Sequence, residues 1–339
     1  MTFMFDTQSQ RVLVTGATGS IGPKLVKQLC EVGYRVRTLS IDEPETDLFP
    51  ENVEVQVGDI SDEAAVKRAM EGISVVFHLA GLLHIANPSQ FQEREYTKIN
   101  VIGTKTLVEA AIQAGVKRLI YFSTVSVYGQ SNGRIITEST PPRPDTIYSK
   151  TKLCAESLVL DAINKEGQPL GVVLRLGAVY GARVKGNYKR LVHSLASNRF
   201  FSIGKGENRR TLIYDKDVAL AAILSAQHSG AAGKIYNVTD GQFYSVNEII
   251  KAICRALGRN PPKIYLPLGP VKMAANLADG IAGLVGISSP GLKGALFKYC
   301  EDVAVDGSRI MQELGFKPEY DLWEGWKEAI QEMREKGYL

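Results

Sequence analysis

Short apolar segments alternate with helical segments over the first two-thirds of the chain, and this alternation constrains the fold more than any other feature. Strand patterns cover 11–15, 34–40, 53–57, 75–79, 118–123 and 170–174, and helical patterns cover 20–32, 62–71, 88–114 and 145–166. Strands that are nearly all apolar are buried on both faces, and helices between them imply right-handed β-α-β crossovers. The sequence therefore predicts an α/β fold with a doubly wound parallel sheet.

The pattern loosens after residue 179, where Gly- and Lys-rich loops separate shorter helices. A chain of 339 residues is long for one compact core, so a second, smaller unit is expected. We predict a dinucleotide-binding domain at 1–178, to which 212–240 returns. A mixed C-terminal substrate-binding domain would then be built from 179–211 and 241–339.

The loop between the first strand and the first helix carries three glycines at the spacing G-x-x-G-x-x-G. The first permits a sharp turn, the second lets the backbone approach a diphosphate, and the third lets the helix pack closely on the sheet. Free N–H groups at the helix N-terminus attract phosphate. We therefore predict that a dinucleotide binds here, with contacts from Gly16, Thr18, Gly19, Ser20, Ile21 and Gly22.

The residues that close the second and third strands should contact the adenosine of this dinucleotide. Ser40 stands where an acidic residue would bind the ribose 2′-hydroxyl of NAD, with Asp42 two residues on. No arginine follows the strand to bind a 2′-phosphate, although Arg37 lies within it, so NAD is favoured slightly and NADP is not excluded. Asp59 and Ile60 are placed to bind adenine, and an ordinary turn is the alternative role for Asp59.

Tyr148 and Lys152 are four residues apart in the helical segment 145–166, so their side chains lie on one face. Tyrosine titrates near ~10, and its use as a base near neutrality needs its pKa to fall by about 3. A neighbouring cation supplies part of that change. A surface helix that carries the same pair by chance is the alternative, which the preceding nucleotide-binding pattern disfavours.

These features occur together with His78-Leu79-Ala80, Asn100-x-x-Gly103-Thr104 and Ser123-Thr124, in one order along the chain. The chain thereby resembles the extended short-chain dehydrogenase/reductase family, in its NAD-dependent epimerase/dehydratase branch. The resemblance covers nearly the whole length and implies a Rossmann fold with an NAD(P) cofactor. His78 would be a packed, hydrogen-bonded residue beside that cofactor.

The resemblance also implies roles for individual residues. Tyr148 would be the catalytic acid/base, and Lys152 would bind the nicotinamide ribose and lower the pKa of the tyrosine. Thr124 would hydrogen-bond the reacting oxygen of the substrate, with Ser123 as the competing candidate, and Arg210 matches a substrate-binding arginine that contacts phosphate. Further cofactor contacts are expected from Leu79, Ala80, Gly81 and Asn100, with a structural role favoured for the last.

Two activities fit the resemblance. The first is epimerisation of a nucleoside diphosphate sugar, most simply at C4, through a transient keto intermediate. The second is a net dehydrogenase or ketoreductase for a hydroxysteroid-like, isoprenoid or deoxysugar alcohol, favoured by Ala178, Leu296 and Tyr299, where sugar-nucleotide enzymes often carry polar ligands. Val125 and Ser126 disfavour a dehydratase, which has Asp-Glu there, and the intact catalytic residues disfavour a regulatory protein without turnover.

The net charge of +4 is small and the basic residues are scattered, which argues against nucleic acid as a partner. The cysteines form no C-x-x-C and the histidines lack metal-ligand spacing, so no metal site is expected. The segment 266–287 is apolar but too interrupted for a membrane span, and a wall of the substrate pocket is favoured over a surface-docking helix. We expect a cytoplasmic location, because the N-terminus lacks a signal-peptide pattern. We also expect a homodimer.

Overall fold

The computed structural model describes residues 10–83, 89–284, 296 and 299–339. Its strands are β1 (Arg11–Thr15), β2 (Arg35–Ser40), β3 (Glu54–Val57), β4 (Val75–His78), β5 (Arg118–Thr124), β6 (Ile135–Ile136), β7 (Gly171–Leu176), β8 (Ala178–Tyr180), β9 (Ser202–Ile203), β10 (Arg209–Arg210), β11 (Leu212–Tyr214), β12 (Ile235–Val238), β13 (Tyr244–Ser245), β14 (Tyr265–Leu266) and β15 (Ala304–Val305). Its helices are α1 (Gly22–Glu31), α2 (Glu63–Met70), α3 (Gln90–Tyr96), α4 (Thr104–Ala114), α5 (Ile147–Leu160), α6 (Asn187–Ala196), α7 (Asp215–Gln227), α8 (Val246–Leu257), α9 (Leu268–Leu284), α10 (Ser308–Leu314) and α11 (Leu322–Glu335).

Seven of these strands form one parallel sheet in the order β12-β7-β5-β4-β1-β2-β3. The order reverses between β1 and β4, whose last residues, Thr15 and His78, are paired. In doubly wound sheets the ligand crevice lies at the carboxyl ends of the strands at such a reversal point. The predicted fold class is therefore confirmed, and the reversal point lies directly beside Gly16.

The two faces of the sheet are covered by different helices. Val12 and Val14 belong to a core that includes Leu25 of α1 and Val218 of α7. Leu13, whose side chain points to the opposite face, belongs to a core shared with α2, α4 and α5. This alternation follows from the two-residue period of a strand, and it explains why both sets of strand residues are apolar.

One helix of the site is shorter than the sequence predicts. Helix α5, which carries Tyr148, ends at Leu160 rather than at residue 166. The side chain of Asn164 accepts hydrogen bonds from the backbone N–H groups of Glu166 and Gln168, and this turns the chain back towards β7. The helix predicted at 88–114 contains a π-helix (Thr97–Gly103) between α3 and α4. Residue 88, where the predicted helix begins, lies outside the described residues.

The second half of the chain contributes to two cores. Strand β12 pairs with β7 at the edge of the main sheet, and α7 packs in the core beneath it, so 212–240 lies against the first 178 residues. Ile310 and Leu314 of α10 join the same core. A separate core unites α6, α8 and α11 around Trp326. The division into two domains stays a prediction.

Asp215, the first residue of α7, is fully buried. Burial raises the pKa of its carboxyl from 3.8 to about 7, although Lys24 nearby lowers it. Between these two values the folded protein holds a proton that the unfolded chain releases, so this group makes the protein less stable as pH rises from about 4 to 7. We expect Asp215→Asn to raise the free energy of unfolding at about pH 8 by roughly 1–3 kcal/mol, and to give no such gain at about pH 4.

Urea unfolding of wild type and variant at both pH values measures this difference. Asp145→Asn, at an exposed position, is the control and should change neither value. An equal effect of Asp215→Asn at both pH values would contradict the assignment to a buried charge.

Candidate active site

The glycine loop fits so closely between its neighbours that side chains have no room. Gly16 has a φ of +67°, and a Cβ on it would lie 2.7 Å from the Cα of Ala80. A Cβ on Gly22 would lie 2.1 Å from the carbonyl oxygen of Ala17. Ile21, which precedes α1, makes no side-chain cap, so the N–H groups of the first turn face the crevice without a capping side chain. The loop therefore has the shape of a phosphate cradle.

His78 connects this loop to α4 through two hydroxyl groups. Its Nδ1 lies 2.7 Å from Oγ1 of Thr15, and its Nε2 lies 2.9 Å from Oγ1 of Thr104. Burial, and secondarily the charge of Lys152, lower the pKa of the imidazole to about 3. A neutral ring held at both nitrogens is a packing element beside the crevice, as the sequence indicates, and not a general base.

Ser40, at the end of β2, contacts the glycine loop, whereas Arg37 of the same strand binds the end of α2. The N–H of Thr18 donates to Oγ of Ser40 at 3.3 Å. Arg37 donates from Nη1 to the carbonyl oxygens of Ala69 and Glu71 at 2.9 and 2.8 Å. These carbonyls end α2, so the arginine caps that helix. This contact leaves the guanidinium turned towards α2 and removes it as a candidate for binding a 2′-phosphate.

Asp59 and Ile60 follow β3 as predicted. Oδ1 of Asp59 accepts a hydrogen bond from the N–H of Ser61 at 2.8 Å, and Oδ2 lies 3.9 Å from Nζ of Lys98. Ile60 is buried and packs so closely on Gly103 that a Cβ there would lie 2.7 Å from its Cγ2. Asp59 thus shapes a turn, which was the alternative role, and its contact with adenine stays a prediction.

Asn100 joins the loop after β4 to α5. It is buried in the π-helix, where its Oδ1 accepts from the N–H of Leu82 at 2.8 Å and its Nδ2 donates to Oγ1 of Thr151 at 3.2 Å. A Cβ on Gly81 would lie 3.0 Å from Oδ1 of Asn100 and 4.0 Å from Nζ of Lys152. The favoured structural role therefore has a clear basis, since one amide side chain fixes the loop and α5 together. A π-turn at such a position is typical of functional sites.

Tyr148 lies in the first turn of α5, facing the end of β5. Its hydroxyl is hydrogen-bonded to Thr124, whose Oγ1 also accepts from the N–H of Ser126 at 3.2 Å. The ring of Tyr96 packs edge-on at 6.3 Å between centroids. Burial raises the pKa of Tyr148 to about 12, and the bond to Thr124 opposes this only in part. The phenol is therefore protonated at neutral pH in the field of the protein alone, which differs from the lowered pKa that the resemblance implies.

Lys152 lies one turn further along α5 and is buried. Its Nζ stands 4.2 Å from the centre of the Tyr121 ring, a distance at which a cation is attracted to the ring face. Burial lowers the pKa of the ammonium to about 7, and the charge of Glu156 opposes this. Lys152 is therefore poised to gain or lose a proton near neutrality.

Glu156 was not anticipated from the sequence, although it follows Lys152 by four residues on the same helical face. Its carboxylate accepts from Nε of Arg175 at 3.1 Å and from Nη2 of Arg175 at 2.6 Å, and all these groups are buried. Ser123 also donates to this carboxylate. Thus Thr124, and not Ser123, lies beside Tyr148. The i, i+4 spacing of a charged residue from Lys152 was the signal that could have revealed this pair.

Arg210 lies in the second half of the chain, on β10. It is partly buried, and its Nη2 donates to the carbonyl oxygen of Tyr299 at 3.1 Å. Its charge also acts on Tyr188, a partly buried phenol whose pKa burial raises to about 12. The adjacent Arg209 instead forms an ion pair with Asp302 at 2.6 Å. Arg210 therefore lies within electrostatic reach of two phenols, Tyr188 and Tyr299.

In the part of the chain that the structure describes, no group of three or more His, Cys, Asp or Glu side chains is arranged to hold a metal ion. The described side chains around the glycine loop and α5 offer hydroxyl and ammonium groups to the crevice.

Residues 12–239 match the model of the NAD-dependent epimerase/dehydratase family. The chain belongs to this family. The resemblance noted from the sequence is thereby confirmed, as are an NAD-dependent enzyme of the extended short-chain dehydrogenase/reductase type and NAD as the cofactor of the family.

Individual relatives differ in their substrates. The chain is 25% identical over 329 residues to N-acetyl-α-D-glucosaminyl-diphospho-ditrans,octacis-undecaprenol 4-epimerase of Escherichia coli O157:H7, covering 95% of each chain. It is 29% identical over 299 residues to the decarboxylating sterol-4-α-carboxylate 3-dehydrogenase of Mus musculus, covering 84% of this chain and 78% of that enzyme. The solved structure of MoeE5 in complex with UDP-glucose and NAD is 28% identical, with a TM-score of 0.75, and the match covers 96% of this chain and 99% of that one.

We expect the protein to bind NAD more tightly than NADP, by a modest factor, because Arg37 is held at the end of α2 and Ser40 carries no charge. Titration of both dinucleotides into cofactor-free protein by calorimetry measures the ratio. The control is Arg37→Met, which should destabilise the fold but leave the ratio unchanged. A preference for NADP of about a hundredfold, or ~2.7 kcal/mol, would contradict this account of the two residues.

Proposed function

We propose that the protein is an NAD-dependent epimerase that acts on a nucleoside diphosphate sugar, through a transient keto intermediate at the carbon that changes configuration. The observation that carries the proposal is the contact between Tyr148 and Thr124, with Lys152 one turn away. A hydroxyl pair of this kind can orient the substrate alcohol and exchange its proton.

The glycine loop, Ser40 and the loop after β4 are the groups that would hold the dinucleotide. The fit rests on Gly16 and Gly22, where a Cβ would collide with the backbone of Ala80 and Ala17, so only glycine allows this tight loop, and on the first turn of α1. When bound, NAD supplies the hydride acceptor and donor, together with a cationic ring that favours the phenolate of Tyr148. Lys152, next to Gly81, would hold the ribose hydroxyls.

Tyr148 would remove the hydroxyl proton of the sugar as its carbon is oxidised, and it would return the proton when the carbon is reduced on its other face. Thr124 would donate a hydrogen bond to the same oxygen and fix its position. Since Tyr148 is partly buried and its pKa is raised to about 12, the chain's own groups favour the protonated phenol. Its deprotonation would therefore be coupled to cofactor binding, which protects the site from proton exchange beforehand.

Arg210 supports the choice of a nucleoside diphosphate substrate. It is a partly buried arginine among aromatic side chains, and guanidinium groups bind diphosphate through charge-assisted hydrogen bonds. The 4-epimerase of E. coli O157:H7 and MoeE5, to which the chain is similar, are named for a diphospho-sugar substrate and a UDP-glucose complex.

A net dehydrogenase for an apolar alcohol is the second candidate. It is favoured by Leu83, whose apolar side chain is exposed and whose carbonyl oxygen accepts a hydrogen bond from Tyr96, the ring that packs against Tyr148. Similarity to the mouse sterol dehydrogenase points the same way. Recovery of the cofactor separates the two candidates, because an epimerase regenerates its NAD in each turnover whereas a dehydrogenase must exchange it.

Tyr148→Phe should retain NAD binding and lose at least about 100-fold in turnover, the scale of one acid/base group. Turnover is measured with UDP-glucose, UDP-N-acetylglucosamine and UDP-glucuronic acid, and NAD binding by calorimetry. The matched control is Tyr96→Phe, because this neighbouring phenol donates to the carbonyl oxygen of Leu83 and not to Thr124. Activity of Tyr148→Phe within a few-fold of wild type would rule out the assigned role.

Arg210→Ala should weaken UDP binding by roughly ten- to a hundredfold, since a charge-assisted hydrogen bond contributes about 1.5–3 kcal/mol. The affinity for NAD should hardly change, because the cofactor phosphates lie on the glycine loop. Arg209→Ala is the control, since that side chain is paired with Asp302. If wild type binds no nucleoside diphosphate at millimolar concentration, the dehydrogenase becomes the better assignment.

A further inference from the structure

Large apolar side chains are exposed at the paired strands β9 and β14 and on α9, the helix that directly follows β14. Met273 and Leu277 of α9 are 74% and 66% exposed, and their i, i+4 spacing puts them on one face. Ile264 and Tyr265, at the start of β14, are 59% and 50% exposed, and Phe201 before β9 is 52% exposed. We call these five residues the apolar patch.

Hydrogen bonding connects the strand parts of the patch. Strand β14 pairs with β9 in parallel, with Tyr265 opposite Ser202, so Ile264 and Phe201 each lie one residue before the paired positions. The N–H of Gly204 donates to the carbonyl oxygen of Leu266 at 2.9 Å, and Leu268, the first residue of α9, follows directly. Met273 and Leu277 belong to the segment 266–287, for which a wall of the substrate pocket stays a prediction.

Basic residues outnumber acidic ones along the stretch of sequence that carries most of the patch, which is bounded by Glu248 and Asp279. Between Ile249 and Ala278 the chain has no Asp or Glu, and its charged residues are Lys251, Arg255, Arg259, Lys263 and Lys272. Lys263 and Lys272 are exposed and border the patch. The loop after β9 adds one basic and one acidic side chain, Lys205 and Glu207, so it does not change the net positive charge near the patch.

We propose that the apolar patch docks on the surface of an anionic lipid bilayer, with Lys263 and Lys272 facing the headgroups. Exposed apolar residues bordered by lysines match a bilayer interface, where side chains enter the acyl boundary and cations meet anionic lipid. A second copy of the chain fits less well, since a two-fold interface would gather Lys263 and Lys272 of both copies in one contact. Within the described residues no helix is long and apolar enough to cross a membrane, so the contact is a surface one.

The patch is connected to the candidate substrate site. The ring of Phe200, next to Phe201, packs against Tyr299 at 6.4 Å between centroids, and the carbonyl oxygen of Tyr299 accepts from Arg210. Docking would therefore bring the substrate-binding half of the protein to the lipid surface. The inference does not depend on the identity of the substrate, because it concerns a surface and not the catalytic residues.

Flotation of the full-length protein with vesicles tests the proposal. Wild type should bind vesicles of phosphatidylcholine mixed with phosphatidylglycerol, and bind more weakly to phosphatidylcholine alone. Met273→Glu with Leu277→Glu should weaken binding by roughly tenfold for each side chain, or about 1.4 kcal/mol. Lys263→Ala with Lys272→Ala should lower the preference for anionic vesicles by about fivefold per lysine, or about 1 kcal/mol.

The matched control is Ile135→Glu with Ile163→Glu. It replaces two exposed isoleucines away from the patch, at 52% and 46% exposure, and changes the net charge equally. It should bind vesicles as wild type does. The proposal is overturned if wild type fails to bind anionic vesicles. It is also overturned if Met273→Glu with Leu277→Glu loses no more binding than the control, Ile135→Glu with Ile163→Glu. A dimer seen by light scattering that only the Met273/Leu277 variant abolishes, without vesicle binding, would assign the patch to self-association.

Discussion

The burial of Lys152 is the constraint on which the candidate active site depends. An ammonium group removed from water loses hydration, and this lowers its pKa to about 7. Two contacts offset that loss: the face of the Tyr121 ring and the negative charge of Glu156, one helical turn on. Glu156 is itself held by the bidentate contact with Arg175 on β7. The charge on α5 is therefore tied to β7, one strand in from the edge of the sheet, which fixes the helix that presents Tyr148.

The parts of the site that depend on local sequence were predictable. The glycine loop is one, because its three glycines and the following helix are adjacent in the chain, and the structure shows a backbone contact with Ala80 that explains the first of them. The Tyr148–Lys152 pair is another, because helical spacing alone places both side chains on one face. The alternating pattern likewise predicted the parallel sheet and the succession of strands and helices along the chain.

The parts of the site that depend on contacts between distant residues could not be predicted from the sequence. Glu156 meets Arg175 across 19 positions of the sequence, and Arg37 meets the end of α2 across 32 to 34 positions. The raised pKa of Tyr148 has the same origin, since burial results from the packing of several elements and no single pattern encodes it. The early end of α5 was missed for a local reason, because the Asn164 turn replaces helical hydrogen bonds with side-chain bonds of similar strength.

Retention of the cofactor separates an epimerase from a dehydrogenase, and the contacts across the crevice bear on it. Arg183, after β8, donates to both carboxylate oxygens of Glu45 in the loop after β2, at 3.0 and 3.3 Å. This pair joins the adenosine side of the sheet to the C-terminal half. Because Glu45 is exposed, solvent screens the interaction and the pair adds little stability by itself. The Arg183–Glu45 ion pair can therefore break without disturbing the packing of the hydrophobic cores on either side. In the proposed function, a chain that keeps its NAD would therefore hold it by the phosphate cradle and by Lys152 rather than by this ion pair.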